Sequence, residues 1–594
     1  DAGAAFLGVE RSLTGKRWRA RLTDERAALA LTQQFGLPEI VARVLVARDV
    51  GPENAELFLN PTLRALLPDP AHLVDMDRAV VRIVAAINAG ETIGILGDYD
   101  VDGATSSALL VRFFAALGRV APVYIPDRQQ EGYGPNLPAL MKLKEAGASL
   151  VITVDCGTTA YDPLEAAVAA GLDIVVIDHH VAEPRLPAGC IVVNPNRADE
   201  SSPCGNLAAV GVSFLLVVAL NRALRQGFWY DEGHPEPDLM RWLDLVALGT
   251  ICDVVPLNGV NRALVTQGLQ IMAQRGNPGI AALADVAGVD RRLEAYHAGF
   301  VLGPRVNAGG RVGDSGLGVR LLTTVDVDEA RAIAQRLDDY NRERQEIEQG
   351  VQEAALYEAE QQAGGNRPLI LVAGKGWHPG VIGIVAGRLR ERFDRPACVV
   401  ALENGIGKGS GRSVPGVALG PAVMAAHQAG ILVNGGGHAM AAGFTVEEDR
   451  LDDLRDYLAS HIERQLDGEV LAPSLGMDGV LSPHAATPDL VELLDRAGPF
   501  GAGNARPRFV IPQARIVDSG IVGKGHVRCV LTGSDGTGRL KAIAFRSADT
   551  PLGQALLNAK GAPLHIAGNL RADEWRGVSS VQLFIDDAAP ARQG

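Results

Sequence analysis

The sequence predicts a multidomain α/β protein: a parallel-sheet domain, a long bridging helix, a second α/β domain and a small C-terminal β-barrel. Three observations carry that prediction. Between about residues 75 and 255, short apolar runs alternate with helical patterns, as βαβ units of a doubly wound sheet require. From Asp328 to Ala363 no proline occurs, and Ala330, Ile333, Leu337, Tyr340, Ile347, Val351 and Ala354 recur at helical spacing. Beyond about residue 470 the apolar runs shorten, alternate in polarity and are separated by turn residues.

Each element follows from its composition. Ile93–Leu96, Val120–Ile125, Leu150–Val154, Ile174–Ile177 and Cys190–Val193 read as buried strands, with helices near Ala104–Leu117, Asn136–Ala146 and Pro163–Ala170. The expected division is a mainly helical region at 1–70 with no assigned chemistry, the parallel-sheet domain at 71–325, the bridging helix at 326–365, the second α/β domain at 366–466 and the barrel at 467–594. A helix of roughly 35 residues reaches about 50 Å, long enough to join two domains. The second α/β domain holds two glycine-dense stretches, Gly405–Gly420 and Gly435–Gly437. In the tail, Arg528-Cys-Val-Leu, Lys541-Ala-Ile-Ala-Phe and Ser580-Val-Gln-Leu-Phe-Ile are the barrel's strand candidates.

The 594 residues are too many for one core. At 47% hydrophobic and 21% charged the chain has an ordinary globular balance. Its net charge of −14, from 56 basic and 70 acidic residues, argues weakly against a nucleic-acid partner. That average hides a local exception: from Arg496 to Gln582, 12 Lys and Arg face 5 Asp and Glu, an excess of +7. Six scattered cysteines without a CxxC pair predict neither a disulfide framework nor a zinc site, and fit a reducing, cytoplasmic compartment. No apolar run of membrane-spanning length and no leader pattern is expected, so no membrane partner is either. The chain opens with Asp rather than Met, and its natural start is expected upstream.

Residues 97–103 read GDYDVDG, directly after a predicted strand. On an extended chain Asp98, Asp100 and Asp102 point the same way, and three like charges so placed need a cation between them. Other elements end in similar groups. Leu150–Val154 delivers Asp155, Asp173–Ile177 delivers Asp178, His179 and His180, and a helical stretch from Leu248 ends at Asp253. In open α/β sheets, residues beyond the carboxyl ends of strands meet in one crevice. A carboxylate-rich set with one or two imidazoles suits Mg²⁺ or Mn²⁺ better than zinc. A carboxylate bridging two cations roughly 3.5–4 Å apart is the usual two-metal hydrolase arrangement. Singly, each of these aspartates reads as a helix cap or turn residue; together they predict a metal site.

With GDYDVDG, VDCG at 154–157, DHH at 178–180 and the Asp of GTICDVVPL, the chain resembles the DHH phosphoesterase superfamily, and most resembles its single-strand-specific 5′→3′ DNA exonucleases. EGYG (131–134), GPRVNAGGRVGD (303–314), GWHPGVIGIVAGRL (376–389), GSGRS (409–413), GGGHAMAAGF (435–444) and GPFGAGN (498–504) extend the likeness from about residue 75 to 585. The resemblance implies two Mn²⁺ or Mg²⁺ ions, with Asp100 and Asp102 as ligands of one metal each and Asp155 as the bridge. It places His179 and Asp253 with Asp102 and Asp155 at the second metal, makes His180 a phosphate contact or acid, and gives Asp178 the orientation of an imidazole. One departure stands out: where the pyrophosphatase branch has a histidine ligand, this chain has Leu96, so the first metal has fewer protein ligands. Asp98 reads equally as a further ligand and as a turn cap.

The strand must also be gripped. Arg305, Asn307 and Arg311 lie in a glycine-rich stretch whose amides and guanidiniums suit phosphate, or which is a solvated loop. By resemblance Lys408, Ser410 and Arg412 are candidates for recognising a 5′ end. His438 belongs to a glycine stretch that serves either packing or binding. His378 presents donors at a helix N-terminus or caps that helix. Arg128 belongs to the resemblance, and Tyr133 stacks on a base or fills a core. The basic module reads as an OB-fold-like barrel gripping single strands mainly through charge, since only 5% of the chain is aromatic. The expectation is a processive or near-processive nuclease, a monomer, that threads single-stranded DNA between its α/β domains and releases 5′-mononucleotides. A single-strand-binding protein and a RecQ-type helicase are partners implied by the resemblance. Two rivals are a small-substrate phosphodiesterase acting on nanoRNA or cyclic dinucleotides and a non-catalytic Cdc45-like replication scaffold.

Overall fold

The computed structural model describes residues 4–127, 131–132, 134–363, 367–467, 473–575 and 578–591. Strand β1 (Arg17–Ala20) lies near the N-terminus, followed by short helices between Glu25 and Leu66. The first domain holds β2 (Thr92–Gly97), β3 (Val123–Tyr124), β4 (Ala148–Val154), β5 (Asp173–Ile177) and β6 (Ile191–Val193), all parallel, in the order β3-β2-β4-β5-β6. The apolar runs form these strands because helices cover both faces and nearly every position is buried. The winding direction reverses between β2 and β4, so the crevice of this doubly wound sheet opens at their carboxyl ends.

Three helices frame that crevice: Val101–Ala116, Ala209–Gln226 and Leu243–Cys252. The second corrects the expectation that no apolar run has membrane-spanning length. It is 18 residues long and apolar enough, and 72% of it is buried inside the fold, where a core helix needs that composition.

The bridging helix runs from Val327 to Ala363, 37 residues, about 55 Å. Ala330, Ile333, Ala334 and Leu337 sit in the first domain's core, while Val351, Ala355 and Ala359 sit in the second domain's. The second domain carries β7 (Ile370–Lys375), β8 (Ala397–Glu403), β9 (Ile406–Arg412), β10 (Asn434–His438) and β11 (Ala441–Glu447), ordered β10-β11-β9-β8-β7. Only β7 and β8 run parallel. Each glycine-dense stretch carries one strand, β9 or β10, because glycine lets the bulky neighbours pack: a Cβ at Gly409 would fall 2.1 Å from the Phe444 ring.

After β12 (Ser474–Met477) come β13 (Gly479–Val480), β14 (Phe509–Val522), β15 (His526–Thr532), β16 (Leu540–Ala544), β17 (Leu564–Trp575) and β18 (Val578–Pro590). The ladder β14-β15-β16-β18-β17 closes through β17 pairing back to β14, which makes a five-stranded barrel. The N-terminal region is not separate from it. Strand β1 pairs in parallel with β12, Trp18 is fully buried with Nε1 donating to Asp587, and Leu31, Val41 and Leu45 share a core with Phe509, Ile511 and Leu583.

Candidate metal centre

GDYDVDG does not continue β2 as an extended chain. The helix starts at Val101, so Asp98 follows the strand, Asp100 is the N-cap, accepting from the Gly103 amide at 3.0 Å, and Asp102 lies in the first turn. The expected side-by-side alignment of the three carboxylates is thereby corrected: the turn into the helix parts them. Asp98 and Asp100 gather with Asp155, whereas Asp102 gathers with His179 and Asp253. Asp155, His179 and His180 form a third such group, each within 4.8 Å, so Asp155 belongs to both sides.

Each position has a local cause. Asp102 receives the amides of Ala209 and Val210 at 2.6 and 2.8 Å, so its carboxylate caps the start of the Ala209–Gln226 helix. Asp155 directly follows β4 at φ +60°, a left-handed conformation that Asp tolerates better than most residues, with its amide donating to the Ile177 carbonyl. Asp178 accepts from the Thr158 amide and hydroxyl, the His179 and His180 amides, and His180 Nδ1 at 2.8 Å. His179 donates Nδ1 to the Leu207 carbonyl, which leaves Nε2 3.4 Å from Asp155, 3.6 Å from Asp253 and 3.9 Å from Asp102. Asp253 caps the C-terminal end of the Leu243–Cys252 helix, where the dipole disfavours a negative charge.

Electrostatics show the strain of gathering these acids. Burial, then the charge of Asp100, pushes the Asp102 carboxyl up to about 7. Burial and the neighbouring aspartates push Asp155 well above the carboxylate range. Burial, Asp102 and Asp100 take Asp253 up to about 9. Burial and the charge of His180 bring His179 down to about 4, so it is a neutral donor. Burial opposes charging His180, but the hydrogen bond and charge of Asp178 overcome it and raise His180 to about 9. Asp178 stays well below its ordinary range despite burial, held there by His180 and Thr158. The buried Asp253 Oδ2 has no hydrogen-bond donor among the described residues. A neutral imidazole, mutually repelling carboxylates and a buried acceptor lacking a donor are the donor set of a divalent cation. Leu96 is fully buried in an apolar cluster, so the first set consists of carboxylates.

The remaining candidates are distributed differently. The Gly303–Val312 stretch is a helix rather than an anion-cradling loop, because its glycines let it pack closely: a Cβ at Gly310 would meet the Tyr99 ring at 2.7 Å. Asn307 accepts from the Val101 amide beside Asp100, and Arg305 is bound to Asp338 at 2.9 Å and to the Val301 carbonyl. Arg311 donates to the Gly380 carbonyl across the domain boundary. His378 accepts from the Gly380 amide, which closes its own turn. Lys408, Ser410 and Arg412 alternate along β9 and therefore share one face. Lys408 and Ser410, with Tyr99, Arg311, Gly435 and Gly436, line a cleft of about 500 Å³ between the domains. At the end of β10, His438 lies over His180, with rings 6.3 Å apart and 20° from parallel, and burial plus the His180 charge lowers its pKa. Arg128 and Tyr133 lie outside the described residues. Sequence reasoning missed Tyr99, Thr158 and the Leu207 carbonyl. Tyr99 at least stands inside the acidic motif, whereas the other two act through positions with no distinctive residue type.

A doubly wound sheet with this acid and DHH cluster at its switch point, helix-linked to a glycine-rich second domain, defines the class: a DHH phosphoesterase. The DHH family N-terminal domain matches residues 92–250, the DHHA1 domain 366–464 and the RecJ OB domain 477–587. The single-stranded-DNA-specific exonuclease RecJ of Dickeya dadantii is 38% identical over 93% of this chain and 96% of its own. That of Escherichia coli is 37% identical over 96% and 99%. The crystal structure of RecJ in complex with Mn²⁺ from Thermus thermophilus superposes with a TM-score of 0.79 at 28% identity, over 97% of this chain and 79% of that one. The chain belongs to the RecJ family of single-stranded-DNA-specific exonucleases.

Proposed function

We propose that this chain is a 5′→3′ exonuclease of single-stranded DNA that hydrolyses phosphodiesters to 5′-mononucleotides with two Mn²⁺ or Mg²⁺ ions, in DNA repair and recombination. The carrying observation is the pair of ligand sets joined through Asp155 at the sheet's switch point, facing the cleft of the second domain. Asp98, Asp100 and Asp155 would hold one cation, and Asp102, His179 and Asp253, with Asp155 between, the other. Cations there would supply a water ionised near neutral pH and would neutralise charge building on phosphate.

The protein's own groups do the rest. His180, kept protonated by Asp178, faces the crevice as a hydrogen-bond donor to phosphate and a proton source for the departing oxygen. Ser410 Oγ and the Arg412 guanidinium, 3.2 Å apart on β9, offer a 5′-phosphate a hydroxyl and a fork, with Lys408 adding charge along the same face. His438 over His180 limits the height of the opening. The barrel holds the incoming strand. A monomer in the cytoplasm, working with a single-strand-binding protein and a RecQ-type helicase, is the setting this reading implies; all six cysteines are free, as a reducing compartment requires. The buried acid set gives the scaffold rival no support, and the closed barrel gives none to the small-substrate rival.

Oligonucleotides labelled at either end, single- and double-stranded, with and without Mn²⁺, test the proposal. Mononucleotides should leave the 5′ end of single strands alone. Intact 5′-labelled single strands in Mn²⁺ would sink it.

A further inference from the structure

The motif GPFGAGN (498–504) contributes no residue to the ligand groups, yet it is built against the chain that leaves Asp253. Val254, the next residue, stands at φ +63°, a conformation a β-branched side chain avoids. Something must hold it. The Leu257 amide donates to the Ala502 carbonyl at 2.8 Å, and Leu257 is buried. Gly501 and Gly503 allow the contact. A Cβ at Gly501 would lie 2.8 Å from Leu257 Cδ1, and one at Gly503, which is at φ +69°, would lie 2.9 Å from Pro256 Cβ.

The loop is itself braced. Asn504 donates to the Ala497 and Pro499 carbonyls and accepts from Arg48, and Arg48 in turn pairs with the buried Asp478 at 2.9 Å. From the other side Arg262, 1% exposed, donates to the Phe58, Ala497 and Arg496 carbonyls, with Phe58 stacked on its guanidinium at 3.8 Å. Its neighbour Asn261 joins the two segments that set the second ligand group, donating to the Pro256 carbonyl at 3.1 Å and the Asn206 carbonyl at 2.6 Å. Adjacent to Asn206, the Leu207 carbonyl orients His179, and the Ala209 and Val210 amides hold Asp102.

We propose that seating of the 498–504 loop on Pro256 and Leu257, keyed by Asn261 and Arg262, positions Asp102, His179 and Asp253 and thereby sets the affinity of this group for a divalent cation. The barrel and N-terminal unit is then a positioning element of the metal centre as well as a strand holder. The inference rests on the two-cation reading above. Groups that orient metal ligands typically change metal affinity by about 10–100-fold.

The test measures Mn²⁺ binding by electron paramagnetic resonance on the full chain without nucleic acid, for the parent, Gly503→Ala, Leu257→Ala, the volume-keeping Leu257→Met and Leu556→Ala. Leu556→Ala opens a cavity in the barrel's core under the Pro551–Asn558 helix and leaves the Asp478–Arg48–Asn504 brace intact. We expect Gly503→Ala and Leu257→Ala to weaken one of two Mn²⁺ ions about tenfold or more, with cooperative unfolding retained and metal-free affinity for single strands unchanged. Leu257→Met and Leu556→Ala should match the parent. Parental Mn²⁺ affinity in both folded variants overturns the inference, and so does an equal loss in Leu556→Ala, which would mark general destabilisation. A parent that fails to bind two ions refutes instead the two-cation reading.

Discussion

Gly249 stands four residues before Asp253, where the Leu243–Cys252 helix crosses the Val101–Ala116 helix. A Cβ there would lie 2.3 Å from Thr105 Oγ1, 2.8 Å from Val210 Cγ1 and 3.2 Å from Asp102 Oδ1. Favourable contact begins near ~3.5 Å, so Gly249→Ala forces about 1 Å of separation at Thr105 and roughly half that at Val210. Thr105 cannot yield freely, because its hydroxyl donates to the Val101 carbonyl at 2.7 Å. Overpacking of this kind costs about 1–3 kcal/mol. The larger effect falls on function. The helices that move apart carry Asp102 and Asp253, and a misplacement of about 1 Å costs on the order of a hundredfold in rate. The assay is turnover of a 5′-labelled single strand at saturating Mn²⁺, with thermal unfolding beside it. The expected variant is folded and about a hundredfold slower. Adding Thr105→Ala, which removes the closest clash, should restore much of the rate. Parental turnover in Gly249→Ala, or a double variant no faster than the single, would refute the reasoning.

Asp244 is buried, and burial raises its carboxyl to about 6, with Arg112 offsetting only part. The folded chain therefore binds this proton more tightly than the unfolded chain does, and the associated stability is full below about pH 4 and lost as pH rises to about 6. Asp244→Asn should stabilise by up to about 3 kcal/mol at pH 8 and not at pH 4, by urea denaturation; a gain independent of pH contradicts this. Asp478 is buried between Arg21 and Arg48 and also accepts the Arg508 amide. Asp478→Ala strands the two guanidiniums and should cost about 3–5 kcal/mol in thermal unfolding. Arg412→Lys loses the planar fork, so preference for a 5′-phosphate over a 5′-hydroxyl strand should shrink about tenfold or more in competition cleavage.

The sheet, the bridging helix and the acid cluster were legible because each has a strong local cause. A strand buried on both faces must be apolar throughout, a helix shared by two cores must repeat apolar residues along its length, and buried aspartates in number require a cation. Glycine-rich stretches were less legible, since glycine marks both flexible loops and close packing, and only the partner decides. Around Gly310 and Gly409 the partners are the rings of Tyr99 and Phe444, distant in sequence. The spacing of Asp98, Asp100 and Asp102 suggested extended chain because the helix start at Val101 has no strong signal beyond Asp100 itself. Arg305 read as a phosphate ligand because its partner Asp338 lies 33 residues away. The pairing of β1 with β12 spans most of the chain, and nothing local to Arg17–Ala20 announces it.

The acidic net charge and the polyanionic substrate are reconciled by where the charges sit. Arg48, Arg197, Arg262 and Arg344 have nearly buried side chains committed to partners within the fold and offer nothing to a strand. Lys524, Arg539, Lys541, Arg546 and Lys560 lie exposed on the barrel. The crevice gathers Asp98, Asp100, Asp102, Asp155 and Asp253, some held protonated by their neighbours, and favours phosphate only once cations replace those protons and outweigh the carboxylate charge. On the function proposed above, the barrel holds a strand in either state, whereas the crevice admits the strand's end only in the loaded form. Linkage makes this reciprocal: a phosphate that binds better when cations are present must tighten those cations by the same factor. The dependence should be strongest for the set of Asp98, Asp100 and Asp155, because Leu96 leaves that group without an imidazole and phosphate oxygens are the donors best placed to complete it.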